Sequence, residues 1–249
     1  MPQRLFIVVA TLRTGSTLFH RAIHQHPQAA CLGEVLSPKE ETRARVHHLH
    51  FGDADYLASP SGKYLDAVDY LDRKLWPNAG DQEAYGVKLL YSMLDWWKLW
   101  EYFEVPRGLK IVHLMRNPVA SFISWKQARQ TDVWHHWTLK EKRLPAEGRD
   151  PLYIDPEELF KHIAYLGAAV HRARGLPGEH LEISYADLVR QFQPTMDRVF
   201  EFLGVEPFAP EHELIKMHDW DIGKRIKNWP EIAERLAGEH SSLLSEDLL

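Results

Sequence analysis

Apolar residues in this chain gather into short dense runs separated by longer mixed stretches. Residues 4–10 ("RLFIVVA") are apolar on both pleat faces and rich in β-branched side chains, which predicts a buried parallel strand. Residues 16–26 then read as a helix ended by Pro27, and 29–33 ("AACLG") as a short second strand. Further strands are predicted at 85–91 ("YGVKLLY"), 109–115 ("LKIVHLM") and 180–185 ("HLEISY"). Between the first two of these, 94–103 ("LDWWKLWEYF") predicts one aromatic-rich helix, with Trp96, Trp97 and Trp100 packing inward.

Helix signals follow. At 116–130 Pro118 sits where a first helical turn tolerates it. Asp155-Pro156-Glu157-Glu158 combines an N-cap, a proline at the first helical position and acids near the positive dipole end. Leu159, Ile163, Leu166 and Val170 share one face of that helix, and Arg172, Arg174 and Gly175 mark its end. Another helix is predicted over 194–203, stopped by Gly204, and a last one over 230–238. Two stretches, 38–82 and 131–154, are polar and irregular excursions from the core, the first with a helix at 64–75.

Strands that alternate with helices predict an α/β three-layer sandwich with a central parallel sheet, here one domain over 1–249. Ligands of such sheets bind outside the carboxyl ends of the strands. The loops 11–17 and 116–124 both leave strands there.

Composition narrows the picture. The chain has 249 residues, 45% of them hydrophobic, enough for a sizeable core. A net charge of −5 argues against a general nucleic-acid binder. One cysteine, Cys31, allows no internal disulfide and fits a reducing, cytoplasmic setting. The first apolar run lacks a signal-peptide layout, and no stretch approaches the roughly 20 apolar residues of a membrane span.

The candidate chemistry begins at "TLRTGST", residues 11–17. A strand, a tight turn with one glycine and three hydroxyls, then a helix is how proteins cradle phosphates. The lysine of the nucleoside-triphosphate loop is missing: Ser16 follows Gly15, and Ala10 stands where the first glycine belongs. Backbone N–H groups, the hydroxyls of Thr14, Ser16 and Thr17, and the fixed guanidinium of Arg13 suit a smaller anion, a monophosphate or a phosphosulfate. The bland alternative is an ordinary turn with hydroxyl caps. Arg116 and Ser124 form a second pair. Eight residues of helix rise about 12 Å, and a long arginine side chain lets both reach one phosphate.

Together, "TLRTGST" and "LMRNPVASFIS" resemble the paired 5′- and 3′-phosphate motifs of the sulfotransferases that use 3′-phosphoadenosine 5′-phosphosulfate (PAPS). The chain is most similar in this respect to the bacterial carbohydrate type, the rhizobial nodulation-factor and trehalose sulfotransferases. "GEVLSP" (33–38), "GVKLLY" (86–91), "QARQT" (127–131), "ISYADL" (183–188), "EFLG" (201–204) and "IKNW" (226–229) carry the resemblance along nearly the whole chain.

The resemblance implies a fold like that of the P-loop nucleotide hydrolases, a PAPS donor, adenosine 3′,5′-bisphosphate (PAP) as product, no metal, and a hydroxyl acceptor on a glycan or glycolipid. It implies that Arg13, Thr14, Gly15, Ser16 and Thr17 hold the phosphosulfate, and that Arg116 and Ser124 hold the 3′-phosphate. Tyr185 lies near the adenosine in this reading, with Ala186 where relatives carry an acid. Lys227, Asn228 and Trp229 match the segment that closes over the nucleotide, with Lys224 and Arg225 adding charge. Glu34 matches the general base, its rival reading being a pair with a sheet-edge arginine. Lys88, inside a strand, is either a contact to donor or acceptor or a strand-end snorkel. His20, His24 and His113 are rival bases, each read first as a packed or exposed histidine.

Other features weigh less. "HHLH" (47–50) lacks the further ligands of a zinc set and reads as a polar loop. Trp134 and Trp137 either stack on sugar faces or anchor their excursion. A P-loop kinase or hydrolase is the alternative activity, and it would need a Walker lysine and a magnesium-holding aspartate. A non-catalytic nucleotide-binding protein is the third reading.

Overall fold

The computed structural model describes residues 4–39, 41–42, 66–131, 151–211 and 226–244. The chain forms two compact units, Met1–Met115 with His171–His212, and Arg116–Val170 with Glu213–Leu249.

The first unit is built on a five-stranded, all-parallel sheet. Its strands are β1 (Arg4–Ala10), β2 (Ala29–Leu32), β3 (Ala84–Leu90), β4 (Lys110–Met115) and β5 (Glu179–Ser184), in the order β2-β3-β1-β4-β5. The dense apolar runs occupy the middle. Phe6 to Ala10 of β1 and every residue of β3 are buried, as strands covered on both faces should be. Gly86 of β3 has a packing reason: a Cβ there would stand 2.4 Å from the Phe6 carbonyl oxygen. All five strand expectations hold to within a residue or so of their predicted ends.

Helix α1 (Ser16–His24) follows β1, and α2 (Ala67–Tyr70) begins where the Asp66 carboxylate accepts from the Val68 and Asp69 N–H groups. α2 runs on through a wider π turn over Leu71–Leu75 and a tighter one over Trp76–Ala79. Residues 67–79 are therefore helical throughout, which agrees with the helix expected at 64–75 and carries it four residues further.

The predicted single helix at 94–103 is two, α3 (Tyr91–Trp96) and α4 (Trp100–Glu104). Lys98 between them takes a φ of 53°, which no helix accommodates. Trp100 packs inward, but Trp96 is 65% exposed, so its expected burial is also corrected. Trp97 turns its indole N–H to the Leu36 carbonyl at 2.7 Å.

Beyond β5, α7 (Tyr185–Arg190) is capped by the Ser184 hydroxyl, and α8 (Phe192–Leu203) ends at Gly204 with φ 73°. α6 (Pro156–Arg174) starts as its caps predict: the Asp155 carboxylate accepts from the Glu157 N–H at 2.9 Å. Leu159, Ile163 and Leu166 are buried along it, with Ala169 and Ala173 rather than Val170 completing the stripe.

Register fixes which side chains share a sheet face. Val8 pairs with Lys88, while Val9 pairs with His113, one row further on. Lys88 and His113 therefore point to opposite faces. Lys88 meets Thr17 of α1 and His113 meets Tyr91 of α3, so helices cover the sheet on both sides. This is the three-layer α/β arrangement the alternation of elements predicts.

The second unit has its own apolar cluster. Val119, Phe122 and Ile123 of α5 (Pro118–Thr131) pack with Ile154, Leu159, Ile163 and Ile226, and with Ile232 and Leu236 of α9 (Trp229–Glu239). No helix among the described residues is long and apolar enough to cross a membrane.

Candidate active site

In the first unit, the turn after β1 is shaped by two left-handed residues. Arg13 has φ 65° and Gly15 φ 75°. Such alternation turns successive backbone N–H groups toward one concavity, an anion-binding nest. Gly15 is required twice over, since a Cβ at this φ would also lie 3.2 Å from the Tyr185 ring. Thr14 is fully buried and its hydroxyl donates to the Thr11 carbonyl at 2.9 Å, which holds the turn closed from within. Among the described residues no side chain caps α1, so the N–H groups of its first turn present a dipole-positive end.

Glu34 follows β2. Its neighbours Val35 and Leu36 are fully buried, and the Ser37 N–H donates to the Glu34 carbonyl at 3.0 Å, so the turn is fixed at both ends. The carboxylate is partly exposed and accepts from Lys88 Nζ at 2.9 Å. The same ammonium donates to Thr17 Oγ1 at 3.4 Å. Lys88 is 1% exposed in the middle of β3, so it is no strand-end snorkel. Glu34 has an ion-pair partner, and it is this interior lysine, not a sheet-edge arginine. Arg13, Thr14, Gly15, Ser16, Thr17, Glu34, Lys88 and Tyr185 thus gather in one unit, linked by the Thr17–Lys88–Glu34 hydrogen bonds and by the Gly15–Tyr185 approach.

Of the three histidines, His113 lies on the other sheet face from Lys88, while His20 and His24 lie on α1. His20 Nδ1 lies 3.0 Å from the Ser16 carbonyl on α1. Burial lowers the pKa of His24. His113, on the opposite face, belongs to a line of polar groups that the sequence reading missed. Its Nδ1 lies 3.5 Å from Glu182, which Arg174 grips through two nitrogens at 2.6 and 3.0 Å. Nδ1 is therefore assigned the proton, and Nε2 accepts from the Tyr91 hydroxyl at 2.5 Å. Burial pushes the His113 pKa down to about 4, against the pull of Glu182, and raises that of the Tyr91 phenol.

In the second unit, Arg116 stands immediately before α5 and Ser124 lies two turns into it, both half-buried. Asn117 between Arg116 and the helix was overlooked: its carboxamide oxygen accepts from the Val119 and Ala120 N–H groups at 2.9 and 3.3 Å. That cap fixes the direction in which α5 leaves Arg116.

Asn228 has a committed side chain. Its amide oxygen accepts from the Ile154 N–H at 3.1 Å, and its Nδ2 donates to the Ile154 carbonyl at 2.8 Å. The Lys227 N–H donates to the Leu152 carbonyl at 2.8 Å, beside a parallel bridge between Leu152 and Ile226. Trp229 packs against the apolar cluster of this unit. Of this trio only the Lys227 side chain is exposed. Lys224, Arg225, the 47–50 histidines, Trp134 and Trp137 lie outside the described residues.

Comparison with known proteins now adds its weight. A family model described as "Sulfotransferase family" matches residues 103–210. The chain is 24% identical over 238 residues to nodulation protein H of Rhizobium tropici, covering 94% of this chain and 89% of that one. It is 24% identical to nodulation protein H of Rhizobium meliloti over 240 residues, 95% of this chain and 93% of the relative. Among solved structures, a sulfotransferase from Alicyclobacillus acidocaldarius superposes with a TM-score of 0.54 at 16% identity, over 98% of this chain and 93% of the other.

The chain is similar to the sulfotransferases.

A second sulfotransferase, a domain from the curacin biosynthetic pathway, has the same fold with a TM-score of 0.52 at 17% identity, over 100% of this chain and 95% of that one. The sulfotransferase-family segment begins inside α4 and contains β4, Arg116, Ser124 and Tyr185. Glu34, Lys88 and the 13–17 turn lie before it, so their roles rest on the geometry above.

Proposed function

We propose that the protein is a sulfotransferase that moves a sulfuryl group from PAPS to a hydroxyl of a glycan or glycolipid. The observation that carries this reading is the buried Lys88 ammonium, which joins the Glu34 carboxylate to Thr17 of the anion-binding turn. A cation so placed serves an anion on one side and a base on the other.

The residues fit the donor. The nest at Arg13–Gly15, the uncapped start of α1 and the Arg13 guanidinium together offer N–H groups and positive charge for a phosphosulfate. When bound, the donor supplies a sulfuryl group on a phosphate leaving oxygen. The turn's N–H groups stabilise the negative charge that grows on that oxygen. Arg13 keeps its proton at any working pH and acts as an electrostatic stabiliser rather than an acid. Glu34 accepts the proton of the acceptor hydroxyl, leaving a sulfate ester and PAP. Before the donor arrives its Oε1 accepts from Lys88, which sets the direction of the carboxylate.

Arg116 and Ser124 hold the 3′-phosphate in this reading, and Tyr185, against Gly15, flanks the adenosine. Lys227 contributes charge near the nucleotide. Asn228 and Trp229 act at one remove, by fixing the segment that carries Lys227.

The test is incubation with PAPS labelled in its sulfur and a panel of glycans, glycolipids and small alcohols. Label should pass to a hydroxyl compound, and Glu34→Gln should lower turnover by a factor on the order of 100 to 10,000, as loss of a general base does, while PAP still binds. A fully active Glu34→Gln enzyme would remove Glu34 as base. Transfer of phosphate from a nucleoside triphosphate, with none of sulfate, would remove the sulfotransferase reading.

A further inference from the structure

We propose that Lys88 is a positioning residue that holds Glu34 in reserve until the donor binds and then releases it. The inference rests on the reading that the 13–17 turn takes the phosphosulfate and that Glu34 is the base.

Lys88 is the only charged residue of β3, a strand whose seven residues are all buried. Removing an ammonium from water costs several kcal/mol unless a partner and hydrogen bonds compensate. Its compensation is small: Glu34 Oε1 at 2.9 Å and Thr17 Oγ1 at 3.4 Å. An ammonium has three N–H donors. The third meets no acceptor among the described residues. The charge is thus committed to one carboxylate, and its remaining capacity is directed toward the hydroxyl at the start of α1.

These two partners belong to different segments. Glu34 sits in the turn after β2, while Thr17 opens α1 behind the anion-binding turn. An anion seated in that turn is therefore a second negative group for the same ammonium. A lysine head on a four-carbon stem can shift its hydrogen bonds between two neighbours without any backbone movement. With the turn empty, Lys88 occupies Glu34 Oε1 and the carboxylate is a poorer acceptor for a proton. With the donor's anion present, the ammonium is shared, Oε1 is freed, and the base becomes available to the acceptor hydroxyl. Donor binding therefore precedes acceptor activation.

Two anions competing for one cation are coupled, and the coupling must pass through that cation. Replacing Glu34 by Gln removes one competitor, so PAP should bind about tenfold more tightly to Glu34→Gln than to the wild-type protein. In a Lys88→Met background the same Glu34→Gln change should alter PAP affinity less than twofold, because no cation remains to be shared. Simple repulsion between Glu34 and the bound phosphate gives the opposite pattern, an equal or larger tightening once Lys88 is gone, since nothing then shields the pair.

The experiment is a double-mutant cycle on PAP affinity by calorimetry, with thermal melts to show that each variant is folded. Met preserves the stem of Lys88, and Glu34 is already partly exposed and can regain water. Lys88→Gln serves as a second neutral variant and should abolish the coupling in the same way. Tightening that persists in either neutral background, or that is absent in the wild-type background, overturns the proposal. Failure of the base reading is seen separately: an active Glu34→Gln enzyme would deny Glu34 its chemical role whatever the affinities show.

Discussion

The Tyr91 hydroxyl and His113 Nε2 stand 2.5 Å apart, on the sheet face turned away from Lys88. His113 is fully buried, with Glu182 and Arg174 beyond its other nitrogen and His180 further along β5, and it is held neutral with its pKa near 4. The unfolded chain has an ordinary histidine near 6.5. Between those values the unfolded state binds more protons than the native one. Stability from this group is therefore complete above pH 6.5 and is lost as pH falls toward 4, by about 3 kcal/mol over the whole window. Denaturant unfolding at pH 7 and pH 5 should show the loss, and His113→Gln should flatten it. An equal loss in the variant would assign the acid lability elsewhere.

Arg13 holds a backbone conformation that suits glycine. A left-handed residue with a Cβ costs roughly 1–2 kcal/mol. Arg13→Gly should therefore melt no lower than the parent protein while losing at least tenfold in transfer rate. A melting temperature several degrees lower would show that the guanidinium stabilises the fold itself.

Gly15 is the converse case. Gly15→Ala adds both strain and a contact against Tyr185, so it should cost roughly 1–2 kcal/mol and weaken PAP binding together. Unchanged melting and affinity would mean that the turn relaxes freely.

Arg116 is predicted to distinguish nucleotides. Charge-assisted hydrogen bonds contribute roughly 1.5–3 kcal/mol, so Arg116→Ala should weaken PAP by about 10- to 100-fold. AMP, which lacks the 3′-phosphate, should bind almost as before. Equal losses for the two nucleotides would remove the 3′-phosphate assignment.

Asn228 should behave as a structural residue. Asn228→Ala leaves the buried Ile154 N–H and C=O without their carboxamide partners. Each such loss costs about 1–3 kcal/mol, so the second unit should unfold at clearly lower urea. Lys227→Ala, by contrast, should leave stability unchanged and weaken only the nucleotide. The reverse pattern would exchange the two roles.

Much of the frame was legible because β1, β3 and β4 are dense apolar runs bounded by turn residues, and because Asp155 and Pro156 announce α6 unambiguously. The break between α3 and α4 was not legible, since Lys98 is a good helix former and only its left-handed φ reveals the interruption. Lys88 stood out as a charge inside a strand. Its partner did not, because Glu34 lies 54 residues away and the pairing depends on β2 and β3 being neighbours. The same holds for His113 and Glu182, which meet only because β4 and β5 align in one register. For Asn228 the family-like segment suggested nucleotide contact, and the bonds of its amide to Ile154, 74 residues away, could not be read from the sequence.

The burial of Lys88 in the central sheet has a consequence for any effort to toughen this protein. Exchanging a buried ion pair for a well-packed apolar side chain is often neutral or stabilising. A screen that ranks variants by heat resistance alone would therefore favour apolar residues at positions 34 and 88 together and enrich well-folded molecules that lack the carboxylate of the proposed base.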